Sequence, residues 1–262
     1  MNLNENDRFY VQEGLIVLLV LVMITASPDV MSQEEGNASD PTASVNFTDF
    51  RFQAFDLGDV GIGDSRDRYA IEGAYAFTPS HKLTYELNYW DTDITGRGTS
   101  GLESFKTKYI NLTPGQLGNV RYKFALGAEL SFDLGDQDDG IGTGTDTIAP
   151  LIGAGWSLGE KDLLITLVQY FHSYSEDRNA NEVRLTGPRI IWIHSLPNRS
   201  WLKIDNKFSI DHENDNHSSN LLEIQLGRML TPKFGIYLDY LSNTGGQKIY
   251  DDGFGIGLRY MY

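Results

Sequence analysis

His217-Ser218-Ser219 places an imidazole and a hydroxyl two residues apart, on one face of an extended chain, where a ring nitrogen can activate an oxygen nucleophile. That is the chemistry of a lipid hydrolase built on a strand. The alternation through Leu222, Ile224 and Leu226, however, turns His217 and Ser219 away from the apolar face, and a lipid-cleaving pair has to meet lipid. His172-Ser173-Tyr174 lacks the spacing. Asp136, Asp138, Asp139 and Gly140 suggest a cation loop but lack the Asp/Asn ladder and the closing bidentate glutamate, position 147 being threonine. A solvated loop is the plainer reading, and the sequence implies no metal site and no cofactor. With no cysteine, thiolate nucleophiles, thiolate metal sites and disulfides are excluded.

The other residues able to do chemistry are charges set at mid-strand: Glu72, Glu86, Arg121, Lys123, Glu129, Lys203, Asp205, Lys207, Glu223, Asp239 and Arg259. Asp133, Asp211, Arg51 and Lys82 belong to the same face, which is therefore nearly balanced in sign. Opposed rows of acids and bases across a narrow lumen create a transverse field that orients polar solutes. The same rows can close the lumen as salt bridges, and the sequence leaves both uses open. A net charge of -15 and a pI near 4.6 argue against nucleic acid as a partner.

The elements that must carry these residues are strands. From Val120 to Phe132 every second residue is apolar, while Arg121, Lys123, Gly127, Glu129 and Ser131 occupy most of the other face. Breaks at Gly, Pro, Asn and Asp clusters give twelve strands near 45–56, 68–78, 81–91, 103–112, 119–133, 146–157, 161–174, 182–195, 199–212, 218–230, 233–243 and 249–262. The connections alternate, short ones at 78, 112, 158, 195 and 230 between long ones at 57–67, 92–102, 134–146, 175–181, 213–217 and 242–248. Short turns on one side, longer loops on the other and an even strand count describe an all-β, up-and-down antiparallel transmembrane β-barrel.

A soluble barrel would put the mid-strand charges in a dry core, whereas a membrane barrel puts them in a polar lumen. Aromatics gather at the ends of the apolar face: Phe77, Trp156, Phe234, Tyr260 and Tyr262 on the turn side, and Tyr69, Tyr89, Phe132 and Tyr240 on the loop side. They fit two interfacial girdles. On this register Leu126 faces lipid and Gly127 faces water, so arginine is expected to be costly at the first position and tolerated at the second.

Gly14 to Thr25 is an apolar run of 12 residues, against ~20 for a spanning helix, and a small, polar stretch follows it. Residues 1–32 are read as a signal peptide cut after Ser32, although Glu5, Asp7 and Glu13 outnumber Arg8 in its leading region. Residues 33–43 read as a flexible lead and 44–262 as the barrel.

Phe254, Ile256, Leu258, Tyr260 and Tyr262 share one face of the last strand, which resembles the C-terminal assembly signal of bacterial outer-membrane proteins. That resemblance implies the bacterial outer membrane as location, and outer-membrane lipids, lipopolysaccharide and the barrel-assembly machinery as partners. Leu196-Pro197, Trp201, Lys203, Asp205, Asp211 and the Thr231-Pro232 turn, within the last 75 or so residues, resemble outer-membrane transporters grouped with the phenol meta-cleavage pathway. The resemblance implies a channel, not an enzyme, for passive passage of small aromatic or apolar solutes. The alternatives are a lipid hydrolase using His217 and Ser219, and a structural or adhesive barrel without transport.

Overall fold

The computed structural model describes residues 39–177 and 180–262. The signal-peptide reading of 1–32 lies outside the described residues. Twelve antiparallel strands form the chain from Phe47 onward: β1 Phe47–Asp56, β2 Ser65–Thr78, β3 His81–Thr92, β4 Thr99–Leu117, β5 Val120–Asp133, β6 Thr145–Leu158, β7 Asp162–Glu176, β8 Arg184–Leu196, β9 Ser200–Asp211, β10 His217–Met229, β11 Phe234–Gly246 and β12 Asp252–Met261. Each pairs with its neighbours in sequence, and β1 closes on β12 from Phe47↔Met261 to Asp56↔Asp252, so the sheet closes into a barrel. Turns at 79–80, 118–119, 159–161, 197–199 and 230–233 alternate with loops at 57–64, 93–98, 134–144, 212–216 and 247–251 and with the connection from β7 to β8.

β4 runs through Pro114 to Leu117, past the break expected at residue 112. β3 stops pairing with β4 at His81↔Asn111, and from there β4 pairs with β5 alone. A proline on a strand with one free edge can point its missing N–H away from the ladder, so the Pro-Gly pair does not end the strand.

Period two sorts the side chains into two populations. Leu126, Leu226, Leu238 and Leu258 are half-exposed on the outside. Rings cluster at both rims of that surface: Phe234–Tyr260 at 5.0 Å, Tyr122–Trp156 at 5.3 Å and Tyr75–Phe77 at 5.1 Å on the turn side, Phe52–Tyr69 at 5.1 Å and Tyr240–Phe254 at 5.2 Å on the loop side. On the inside of β12, Gly253, Gly255 and Gly257 leave room for neighbouring side chains to lie flat. A Cβ on Gly257 would sit 2.0 Å from the Tyr237 ring, and one on Gly227 2.1 Å from Trp201.

Gly127 faces inward as expected, but its tolerance to arginine has to be corrected. A Cβ there would lie 2.1 Å from the carbonyl oxygen of Tyr109, so backbone, not water, is what a side chain would meet. Leu126→Arg should therefore cost about 2–4 kcal/mol through burial of charge in lipid. Gly127→Arg should also destabilise, through a shift of β4 against β5. Urea unfolding in lipid vesicles checks both, and a neutral Gly127→Arg would contradict this packing.

Candidate functional site: the lumen

Inside, the barrel has two unlike walls. Strands β1–β3 and β9–β12 carry an ion-pair network. Arg51 is its hub: Nε donates to Asp239 Oδ2 at 2.8 Å, and its terminal nitrogens lie 3.1 Å from Glu223 and 3.6 Å from Glu72. Arg68 donates to Asn88, Gln53 and Glu86 at 2.7–2.9 Å. Arg259 grips both oxygens of Asp49 at 2.8 and 2.6 Å and lies over the Phe47 ring. Lys203 pairs with Glu223 at 2.6 Å, Lys207 with Glu223 at 3.4 Å, and Arg189 with Asp205 at 2.8 and 2.5 Å. Toward β4 and β5, Lys106 meets Glu86 at 3.4 Å and Lys108 meets Glu129 at 2.7 Å.

The second wall is apolar. Along β4–β8 the inward positions include Leu112, Ala125, Leu151, Ile165, Leu167 and Ile191, which border the same internal cavity as Lys82, Arg189 and Lys203. Ile165, Ile191 and Ile193 pack together as a buried cluster on the inside. The outer face of these strands is apolar too, with Ile152, Val168 and Ile190 exposed. Two apolar faces leave no alternation to read, as in runs such as Leu163–Leu167 and Ile190–Ile193.

The N-terminal segment enters from the turn end. Residues 39–43, expected as part of a flexible lead, lie inside: Thr42 and Ala43 are buried, and Ala43 and Val45 pack with Trp201, Met229, Tyr237 and Met261. Polar contacts complete the seat. Lys82 Nζ donates to the carbonyls of Pro41 and Ala43, Lys123 Nζ to that of Thr42 at 2.9 Å, and Ser39 Oγ reaches Gln225 Oε1 at 3.5 Å. A lead rich in small and polar residues shows no periodicity of its own; its order comes from the lumen that receives it.

Of the charges singled out by sequence, Glu72, Glu86, Lys123, Glu129, Lys203, Asp205, Lys207, Glu223, Asp239 and Arg259 make the internal contacts just described. Arg121 shares their parity but sits exposed near the turn-side end of β5. Strand parity also points to Asp49, Arg68, Lys106, Lys108 and Arg189, which the sequence reading passed over. Arg68 lies where the expected strand began, so no alternation framed it. Arg189 stands at the head of an apolar run that hides its face.

His217 and Ser219 do not form a pair. His217 is exposed at the start of β10, and Ser219 is buried with its hydroxyl 2.7 Å from that of Ser209. In the acidic loop, carboxylates hold backbone: Asp136 accepts from the Asp138 N–H at 2.8 Å, and Asp133 from those of Thr143 and Gly144 at 2.9 and 3.0 Å. On the outside, Phe254, Ile256 and Leu258 present their side chains to the lipid-facing surface.

No protein-family model matches the chain, and neither does any curated protein. Solved structures do match. The NanC porin is similar over 82% of this chain and 98% of its own, with a TM-score of 0.61 at 9% identity. An outer-membrane channel of Pseudomonas putida F1 is similar over 88% and 100%, also with a TM-score of 0.61 at 9% identity. Outer membrane phospholipase A from Escherichia coli is similar over 83% and 93%, with a TM-score of 0.52 at 9% identity. At such identities the likeness is one of fold. The fold is the twelve-stranded outer-membrane barrel, and the outer surface, an apolar band between two aromatic rims, suits the bacterial outer membrane.

Proposed function

We propose that this chain is an outer-membrane channel for passive passage of small solutes with aromatic or apolar bodies. One observation carries the reading: the lumen sets an apolar wall, Leu151, Ile165, Leu167 and Ile191, across from a charged one. A lumen meant only for ions and sugars gains nothing from inward isoleucines, which are poorly hydrated and hold no polar solute. A solute with an apolar body loses less on leaving water when such a wall receives it. The porin and channel folds support passage, and the resemblance to transporters of the phenol meta-cleavage grouping supports the solute class. Outer-membrane lipids, lipopolysaccharide and the barrel-assembly machinery are the partners this placement requires.

The hydrolase alternative finds less support. A phospholipase shares the fold, but here the serine of the His-x-Ser pair faces inward and bonds a second serine. A structural barrel would have no use for an internal cavity with two unlike walls.

Planar-bilayer recording and proteoliposome uptake test the proposal together. The expected result is a small steady conductance, with phenol and benzyl alcohol entering proteoliposomes faster than through protein-free vesicles and glucose entering no faster. A silent barrel with uptake at the protein-free rate would refute it.

A further inference from the structure

The internal cavity, about 230 Å³, carries a polar signature that transport of neutral apolar solutes does not use. Its border holds five cationic side chains against three carboxylates. Most of the cations are matched: Lys108 by Glu129, Lys203 by Glu223, Arg189 by Asp205 and Arg259 by Asp49. Lys82 is different. Its side chain is almost wholly buried, it is in no ion pair among the described residues, and its partners are the main-chain carbonyls of Pro41 and Ala43. An ammonium has three N–H donors, so two carbonyls leave one unspent; Asp40, on the same border, accepts from Thr42 and attracts the ammonium only from beyond ion-pair distance.

A second donor stands on the apolar wall. Gln169, 6% exposed, borders the same cavity, and its amide nitrogen has no hydrogen-bond partner among the described residues. It sits opposite Leu151 on β6 and Gly187 on β8, where it adds an amide to a largely hydrocarbon stretch of the wall. A buried N–H left without an acceptor costs free energy that a solute oxygen can recover. What the Gln169 amide lacks is an acceptor, what Lys82 lacks is a carboxylate in contact, and the wall beside them is hydrocarbon.

We infer that the lumen cavity is a binding site for a small amphipathic carboxylate, with the apolar body against Leu151, Ile165, Leu167 and Ile191 and the carboxylate taken by Lys82 and Gln169. The carbonyls of Pro41 and Ala43 then act as placeholders, neutral acceptors that an anion exchanges for a charge-assisted contact. The inference rests on the reading of the lumen as a passage for small solutes and adds that, among them, acids are held most tightly.

The test is binding, which does not depend on conduction. Detergent-folded full chain is titrated calorimetrically with sodium benzoate, sodium acetate, benzyl alcohol and benzylammonium chloride, against protein-free micelles. Benzoate should bind at least about ten-fold more tightly than each of the other three. Lys82→Gln should weaken benzoate by about ten-fold or more, and Gln169→Leu by about two- to ten-fold, the ranges for a charged and a neutral hydrogen bond. Heat-modifiable migration on gels reports whether each variant is folded, and if Lys82→Gln is not, the wild-type series and Gln169→Leu still decide. Benzyl alcohol binding as well as benzoate would remove the charge from the site, and acetate binding as well would remove the apolar wall. Preference for benzylammonium, or unchanged benzoate affinity in folded variants, overturns the inference. Benzoate binding by a barrel that neither conducts nor admits solute would instead refute the channel reading alone.

Discussion

Arg51→Met should lower the unfolding free energy of the barrel by about 3–5 kcal/mol, the range for removing one partner from a buried ionic cluster. Arg51 is 8% exposed and faces Glu72, Glu223 and Asp239 within 3.6 Å, the last two almost without solvent contact. Methionine fills a similar volume, so the loss reports uncompensated carboxylates more than a cavity. Adding Asp239→Leu should recover part of it, because one of the stranded charges goes too; the double variant should cost less than the sum of the singles. Urea unfolding in lipid vesicles, followed by tryptophan fluorescence, measures all three variants. A change below about 1 kcal/mol for Arg51→Met would mean that lumen water screens the cluster as it screens a surface pair.

The frame that holds this cluster was legible because period two and loop parity are properties of the chain itself. Val120 to Phe132 spells out both faces, and alternate turns and loops follow from strands that cross a layer and return. The partners within the cluster were less legible. Arg51, Glu72, Glu223 and Asp239 come from four strands, and no spacing in sequence states that β1 closes on β12 and brings Arg51 to Asp239. The apolar inner wall was hidden for the opposite reason. Where Leu163, Ile165 and Leu167 of β7 meet Ile191 and Ile193 of β8 the inner face is hydrocarbon like the outer one, so the pattern that marks an inner face elsewhere is absent. The seated N-terminal segment was invisible because its acceptors are main-chain carbonyls, which every residue type carries; Lys82 and Lys123 find them only once the barrel exists.

The charge rows that sequence left open between a solute path and a closed interior are resolved differently on the two walls, and the alternating trio on β9 shows how. Lys203 and Lys207 converge on Glu223, and Asp205 between them is taken by Arg189. Reversing both lysines to glutamate would set two new carboxylates beside Glu223, 4% exposed, leaving Arg51 as its remaining ion-pair partner. The two halves of that change are unequal. Lys203 lies 2.6 Å from Glu223 and is 15% exposed, whereas Lys207 lies 3.4 Å away and is 39% exposed, where water screens it. Lys203→Glu alone should therefore carry most of the loss, about 3 kcal/mol or more, and Lys207→Glu should cost under about 1 kcal/mol. Ion selectivity should shift toward cations mainly with Lys207→Glu, because a screened and hydrated charge is the one a passing ion meets. Unfolding midpoints and reversal potentials on the two single variants separate these effects. Equal stability losses would mean both lysines are welded to Glu223, and a strong selectivity shift from Lys203→Glu without loss of stability would place the ion path along Glu223 instead of past Lys207.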